Sequence, residues 1–239
     1  MSAEPQLLLD DLVFAEGPRW HEDRLWFSDM HAHEVVAVDE HGKRTTIAKI
    51  PGSPSGLGWL PDGRLLVVSM QDRRLLRMDD GRLVEHADLS SLAPFHLNDM
   101  VVDARGNAFV GNFGFDLHGG EKTRPTCLIH VSPDGRARVA AEELGFPNGS
   151  VITPDGGTLI VAESFAQRLT AFHVAADGTL SDRRVWAKLD FVPDGIALDA
   201  DGCVWAADPV TPGSFRRVAP DGAVRQQIDA GGRGAFACA

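Results

Sequence analysis

Five short segments of the chain open on a polar residue, followed by an apolar strand, a tight turn and a second apolar strand. The polar residues are Glu16, Ser55, Asn98, Asn148 and Asp194, spaced 39, 43, 50 and 46 residues apart. Glu16, Asn98, Asn148 and Asp194 are two carboxylates and two amides, side chains that bind hard metal ions through oxygen. If the fold brings them together, two readings fit. In the first they hold a divalent cation. Burying an unpaired carboxylate is costly and two close carboxylates repel; a cation removes both penalties. With no cysteine and no obligatory histidine in the set, Ca²⁺ comes first, then Mg²⁺ or Mn²⁺, with Zn²⁺ as a further alternative. In the second reading the same side chains cap strands and bond to backbone or channel water. Residue types and spacing leave both open.

The elements that would gather these residues are legible as a repeat. Asp-Gly occurs eight times, at Asp62, Asp80, Asp134, Asp155, Asp177, Asp194, Asp201 and Asp221. Most of these pairs separate short runs rich in β-branched or aromatic residues, such as Leu65–Val68, Ala108–Val110 and Leu159–Val161. Asp-Gly supplies the positive φ angles of a two-residue hairpin turn. No stretch sustains a helical period, so the chain reads as strand and turn. Each inner hairpin is followed by a second pair of runs, for example Glu34–Asp39 and Thr45–Ile50. Four strands in about 45 residues is the signature of a propeller blade, and the innermost strand of each blade lines a central channel. Equivalent positions then converge on the axis. The pairs Asn148-Gly149 and Asp194-Gly195 resemble turns, but their register with Glu16 makes them strand entries at the channel mouth. The segment Gly234–Ala239 resembles the start of a sixth inner strand, on register 41 residues after Asp194. The expectation is one all-β domain over residues 1–239, a β-propeller of the six-bladed type: five four-stranded blades and the first strand of a truncated sixth.

Composition narrows the partners. The 239 residues carry 34 acidic and 23 basic side chains, a formal net charge of −11. Such a chain repels phosphate backbones and anionic membrane surfaces, so neither nucleic acid nor membrane is expected as a partner. No apolar run approaches the ~20 residues of a membrane helix. The N-terminus MSAEPQLLLDD lacks the basic region of a secretory signal. Three scattered cysteines, Cys127, Cys203 and Cys238, read as reduced thiols of a cytoplasmic protein.

Four motifs, in order along the chain, carry a resemblance. Phe14–Trp20 (FAEGPRW), Asn98-Asp99, Phe146–Gly149 (FPNG) and Pro193–Ala197 (PDGIA) resemble the SMP-30/gluconolactonase/LRE-like family, over essentially the whole chain. The resemblance implies a six-bladed propeller with one divalent cation in its channel and, in many members, hydrolysis of sugar lactones or related cyclic esters. It implies Glu16, Asn148 and Asp194 as metal ligands, Asp194 also as general base, and Asn98 at the metal or substrate. Asp99 beside it would orient the loop.

This chain departs from the family pattern at His96. Sugar-lactonase members often carry arginine two residues before the asparagine of the ND motif. Imidazole is shorter and lacks the guanidinium fork, which weakens the case for a polyhydroxylated substrate. Phe113, Phe115 and Leu117 either make the pocket lid less polar or pack between blades. There is no G-x-S-x-G elbow, His31 and His33 read as surface or loop residues, and the five tryptophans as packing between blades. The leading expectation is a metal-dependent hydrolase of a lactone, with Asn98 and His96 binding substrate. The alternative is a non-catalytic ligand-binding propeller with a structural cation.

Overall fold

The computed structural model describes residues 6–210 and 212–239. The first five residues, part of the stretch read above as lacking a secretory signal, lie outside them. Five four-stranded antiparallel sheets follow one another along the chain, each in simple sequential order. Blade 1 is β1 (Ala15–His21), β2 (Arg24–Asp29), β3 (Glu34–Val38) and β4 (Arg44–Lys49). Blade 2 is β5 (Pro54–Trp59), β6 (Leu65–Ser69), β7 (Arg74–Asp79) and β8 (Arg82–Asp88). Blade 3 is β9 (Leu97–Val102), β10 (Ala108–Asn112), β11 (Thr126–Val131) and β12 (Ala137–Leu144). Blade 4 is β13 (Pro147–Ile152), β14 (Thr158–Glu163), β15 (Arg168–Val174) and β16 (Leu180–Lys188). Blade 5 is β17 (Ile196–Leu198), β18 (Val204–Asp208), β19 (Ser214–Val218) and β20 (Val224–Asp229).

The expected six-bladed form is therefore corrected: the propeller has five blades. Gly234–Ala239 does lie where the next inner strand would begin. Gly195 N–H donates to Phe236 O at 2.8 Å, and Ala235 N–H donates to Asp208 O at 3.1 Å. Among the described residues it joins no sheet ladder and runs as extended coil. Its Phe236 ring meets Phe14, just before β1, at 4.8 Å, edge to face.

The turns follow the Asp-Gly pairs, with one refinement. Seven of the eight glycines have positive φ, and Gly195 is the exception, as strand entry requires. A two-residue turn with both residues at positive φ occurs at Asp80-Gly81, where Asp79 pairs directly with Arg82. At the other six, the glycine N–H bonds the carbonyl three residues back, as in Gly63 to Leu60 at 2.9 Å. That is a three-residue hairpin loop, a type I turn closed by a left-handed glycine.

The core lies between blades. Leu57, Leu65 and Val67 meet Val35 across blades 1 and 2. Leu66, Val68 and Leu75 meet Met100 and Val110 across blades 2 and 3. Phe109 and Leu128 meet Leu159 and Val161 across blades 3 and 4, and Ile160 and Leu169 meet Ile196 and Val204 across blades 4 and 5. Leu9 and Leu12 cover Phe27, Val36 and Val38 on blade 1. Trp26 and Trp59 meet edge to face across blades 1 and 2, as expected of inter-blade tryptophans. Trp20 departs from that expectation and is 61% exposed. Among the described residues no helix is long and apolar enough to cross a membrane.

Candidate functional site

The polar leaders occupy one level of the channel. Glu16, Ser55, Asn98 and Asn148 are each the second residue of an inner strand, and Asp194 lies two residues before β17. Beside each of the first four the pairing of the inner hairpin is irregular, with shifts between Glu16 and Arg19, Pro54 and Leu57, Val110 and Asn112, and Pro147 and Ser150. Such bulges bend a strand and re-aim a side chain. At Asp194 the backbone is still tied to β18: its N–H donates to Ala207 O at 2.9 Å, and Ala207 N–H donates to Gly195 O at 3.0 Å.

Close packing of inner strands depends on the residue after each leader. At Gly149 an added Cβ would stand 2.5 Å from Ile196 N and 2.7 Å from Asp194 O. Gly149 N–H instead donates to Asp194 O at 3.2 Å, drawing Asn148 toward Asp194. Asn98 Nδ2 donates to Pro147 O at 3.3 Å, tying blade 3 to blade 4 beside Asn148. Asn148 Nδ2 donates to Ser164 Oγ at 3.3 Å, and Ser164 Oγ donates to Pro193 O at 2.7 Å. Both asparagine amides are thus anchored through nitrogen, which turns their carbonyl oxygens elsewhere.

Asn98, Asn148 and Asp194 are buried, and Glu16 is half-buried. Burial, reinforced by the Asp99 charge, pushes Asp194 up to about 7, although the Asn148 amide beside it pulls the other way. Burial raises Glu16 well above the usual carboxylate range, and the charges of Asp194 and Asp99 add to the rise; the Gly17 N–H and Arg19 oppose it. The Asp99 charge thus acts on both Asp194 and Glu16. Among the described residues no group of three or more His, Cys, Asp or Glu forms a ligand cluster. A cation here would rest on a mixed carboxylate and amide set. That set fits a hard divalent ion: its donors are oxygens, and Glu16 and Asp194 are held in an environment that disfavours their negative charge.

His96 lies two residues before Asn98 and stacks on Phe95 at 4.1 Å, with Phe113 edge-on at 5.9 Å. Burial and nearby His118 push its pKa below the ordinary value. Phe113 and Phe115 are buried in the core between blades 2 and 3, whereas Leu117 is 38% exposed. Packing between blades thus accounts for the two phenylalanines.

Sequence reasoning missed three contributors. Arg19 pairs with Asp99 at 2.9 Å. Ser164 bridges Asn148 to the Pro193 carbonyl. Phe146 has φ +64°, a strained value for a bulky residue that precedes proline. Its ring is clamped by Phe113 and Phe165, each at 4.7 Å, and its carbonyl accepts from Ser164 N–H at 3.1 Å. Arg19 and Phe146 lie inside the motifs FAEGPRW and FPNG without a role legible there, Ser164 lies in none, and Asp99 stands where the other four repeats have glycine.

Comparison with known proteins places this geometry. The SMP-30/gluconolactonase/LRE-like region matches residues 14–239. A pentonolactonase of Haloferax volcanii is 28% identical over 200 residues, covering 80% of this chain and 65% of the relative. A 6-deoxy-6-sulfogluconolactonase of Pseudomonas putida is 26% identical, covering 90% of this chain and 75% of the relative. The solved structure of a gluconolactonase from Xanthomonas campestris superposes with a TM-score of 0.79 at 26% identity, over 97% of this chain and 81% of the other. The chain thus spans about two thirds to four fifths of the length of these proteins.

Proposed function

Because the chain belongs to the SMP-30/gluconolactonase/LRE-like family, we propose that it is a divalent-cation-dependent lactonase acting at the channel mouth formed by Glu16, Asn98, Asn148 and Asp194. The observation that carries this reading is that Glu16, Asn98 and Asn148 stand at the same position of successive inner strands with Asp194 at the entry to the next, and that burial and the Asp99 charge raise Asp194 while burial and the charges of Asp194 and Asp99 raise Glu16. Perturbed carboxylates beside neutral amides are what an acid–base site requires. The named activities of the relatives, pentonolactonase and 6-deoxy-6-sulfogluconolactonase, support the same reaction class.

Glu16, Asn148 and Asp194 would hold the cation, Ca²⁺ by the hardness of the donors, and when bound it supplies Lewis-acid polarisation of the lactone carbonyl. Asp194 accepts a proton from the attacking water as the new C–O bond forms, and returns it to the ring oxygen as the ring C–O bond breaks. The products are one hydroxy acid and the regenerated carboxylate. Asn98 orients the substrate. His96, whose pKa burial and His118 push down, offers an imidazole hydrogen bond in place of a guanidinium fork, which favours a lactone with few hydroxyls.

The test is base consumption in a pH-stat by chelator-stripped protein, before and after addition of Ca²⁺, Mn²⁺ or Zn²⁺, on gluconolactone, γ-butyrolactone and an aromatic lactone. Hydrolysis restored by cation supports the proposal. A folded, cation-loaded chain that hydrolyses none of them overturns it in favour of a binding propeller with a structural cation.

A further inference from the structure

The residues that follow the five leaders are Gly17, Gly56, Asp99, Gly149 and Gly195. Blade 3 alone places a side chain at this level, and that side chain is a carboxylate. Asp99 is 7% exposed. It fits because its neighbours lack side chains: a Cβ on Gly56 would come within 2.9 Å of Oδ1, and one on Gly17 within 3.5 Å. Its oxygens are well satisfied. Met100 N–H donates to Oδ1 at 2.8 Å, and Arg19 Nη2 donates to both oxygens at 2.9 and 3.1 Å. Arg19 Nη2 also donates to Met100 O at 2.6 Å, and Nη1 to Pro18 O at 2.8 Å.

Arg19 lies three residues beyond Glu16 on β1, about 10 Å further along the strand. Its guanidinium therefore reaches from blade 1 across the glycines to blade 3, deeper in the channel than the leaders. Beyond it is a separate hollow of about 300 Å³, lined by Arg19 itself and by Trp20, Val101, Ile152, Leu198 and Cys238. Glu16, Asn98, Asn148 and Asp194 do not border that hollow. The ion pair stands between the leaders and this hollow.

We propose that Arg19 and Asp99 are a positioning pair that closes the channel beneath Glu16 and Asp194, leaves the site open at one mouth, and sets how tightly that site holds a divalent cation. This rests on the cation reading above. The two partners act with opposite sign: the Asp99 charge adds to the negative field on the site, and Arg19 subtracts from it. A pair that merely braced the fold would have no such asymmetry, since loss of either partner would loosen the same contact.

The experiment is calorimetric titration of Ca²⁺ into the chelator-stripped full chain at pH 8 and low ionic strength, for wild type, Asp99→Asn and Arg19→Met. Asp99→Asn is expected to weaken Ca²⁺ binding about tenfold, and Arg19→Met to strengthen it several-fold, order-of-magnitude effects of one charge in a poorly screened site. If Asp99→Asn does not fold, Asp99→Gly replaces it, with the residue the other four blades carry and the same expected loss. Unchanged affinity in both variants, or weakening in both, overturns the positioning pair and leaves the lactonase proposal standing. A wild-type chain that binds no divalent cation overturns both.

Discussion

Gly56 stands against Asp99 so closely that a methyl group on it would lie 2.9 Å from Oδ1 and 2.3 Å from the neighbouring Met100 nitrogen. Neither obstacle can swing aside, because one is strand backbone and the other is pinned by Arg19. Gly56→Ala is therefore expected to push β5 from β9, lowering stability by ~1–3 kcal/mol as overpacking does. Urea unfolding followed by tryptophan fluorescence measures it. Wild-type stability would show that the inner strands slide apart without cost.

Asp194→Asn keeps an oxygen donor and removes the base. Turnover is expected to fall by ~10²–10⁴, the usual contribution of a general base, with a smaller loss of Ca²⁺ affinity. Steady-state kinetics and calorimetry on the same preparation separate the two. Wild-type kcat in this variant would remove Asp194 from the proton transfer.

The cation-free chain has a predicted pH dependence. Asp194 is raised to about 7 in the folded chain from an ordinary 3.8, and Glu16 moves the same way. Between about pH 4 and 7 the folded state holds protons that the unfolded chain has released, so these groups' contribution to stability declines as pH rises and levels off above about 7. Thermal melts in chelator should show a lower Tm at pH 8 than at pH 5.5. Added Ca²⁺ should raise the Tm more at pH 8, because binding requires the ionised carboxylates. A Tm that climbs steadily from pH 5.5 to 8 in chelator would contradict the buried, unpaired state of these two side chains.

Away from the site, Glu163 is fully buried and shows the opposite balance. Burial alone would raise it, but hydrogen bonds from Arg168, Thr170 and the Gly145 N–H outweigh that and hold its pKa low. Arg168 Nε and Nη2 reach its two oxygens at 2.8 and 3.0 Å. Glu163→Ala leaves those donors facing an empty buried space. A loss of about 3 kcal/mol is expected, at the low end for a broken buried pair because Arg168 is partly solvated. Chemical denaturation checks it, and a loss below about 1 kcal/mol would place the pair with ordinary surface bridges.

His96→Ala should alter KM among lactones while changing kcat little, since the imidazole is assigned to binding and not to proton transfer. Equal KM for all three test lactones in wild type and variant would remove His96 from the substrate pocket.

Much of the fold was legible in the chain because its signals are local. Alternation of apolar residues, Asp-Gly turns and the recurring polar leader are each set within a few residues, and they place β1, β5, β9 and β13 to within one residue. The leader register also marks Glu16, Asn98 and Asn148 as equivalent positions of successive inner strands, with Asp194 two residues before the next. Blade number is a property of the whole ring. Gly234–Ala239 carries the pattern of an inner strand, yet among the described residues it joins no ladder, which only the assembled sheets decide. The Arg19–Asp99 pair spans 80 residues and two blade boundaries. Sequence could mark Asp99 as the one non-glycine in its register, but only packing shows that two glycines make room for it. The raised proton affinities of Glu16 and Asp194 arise in the same way, from burial and from charges contributed by other blades, neither of which exists until the channel has closed around them.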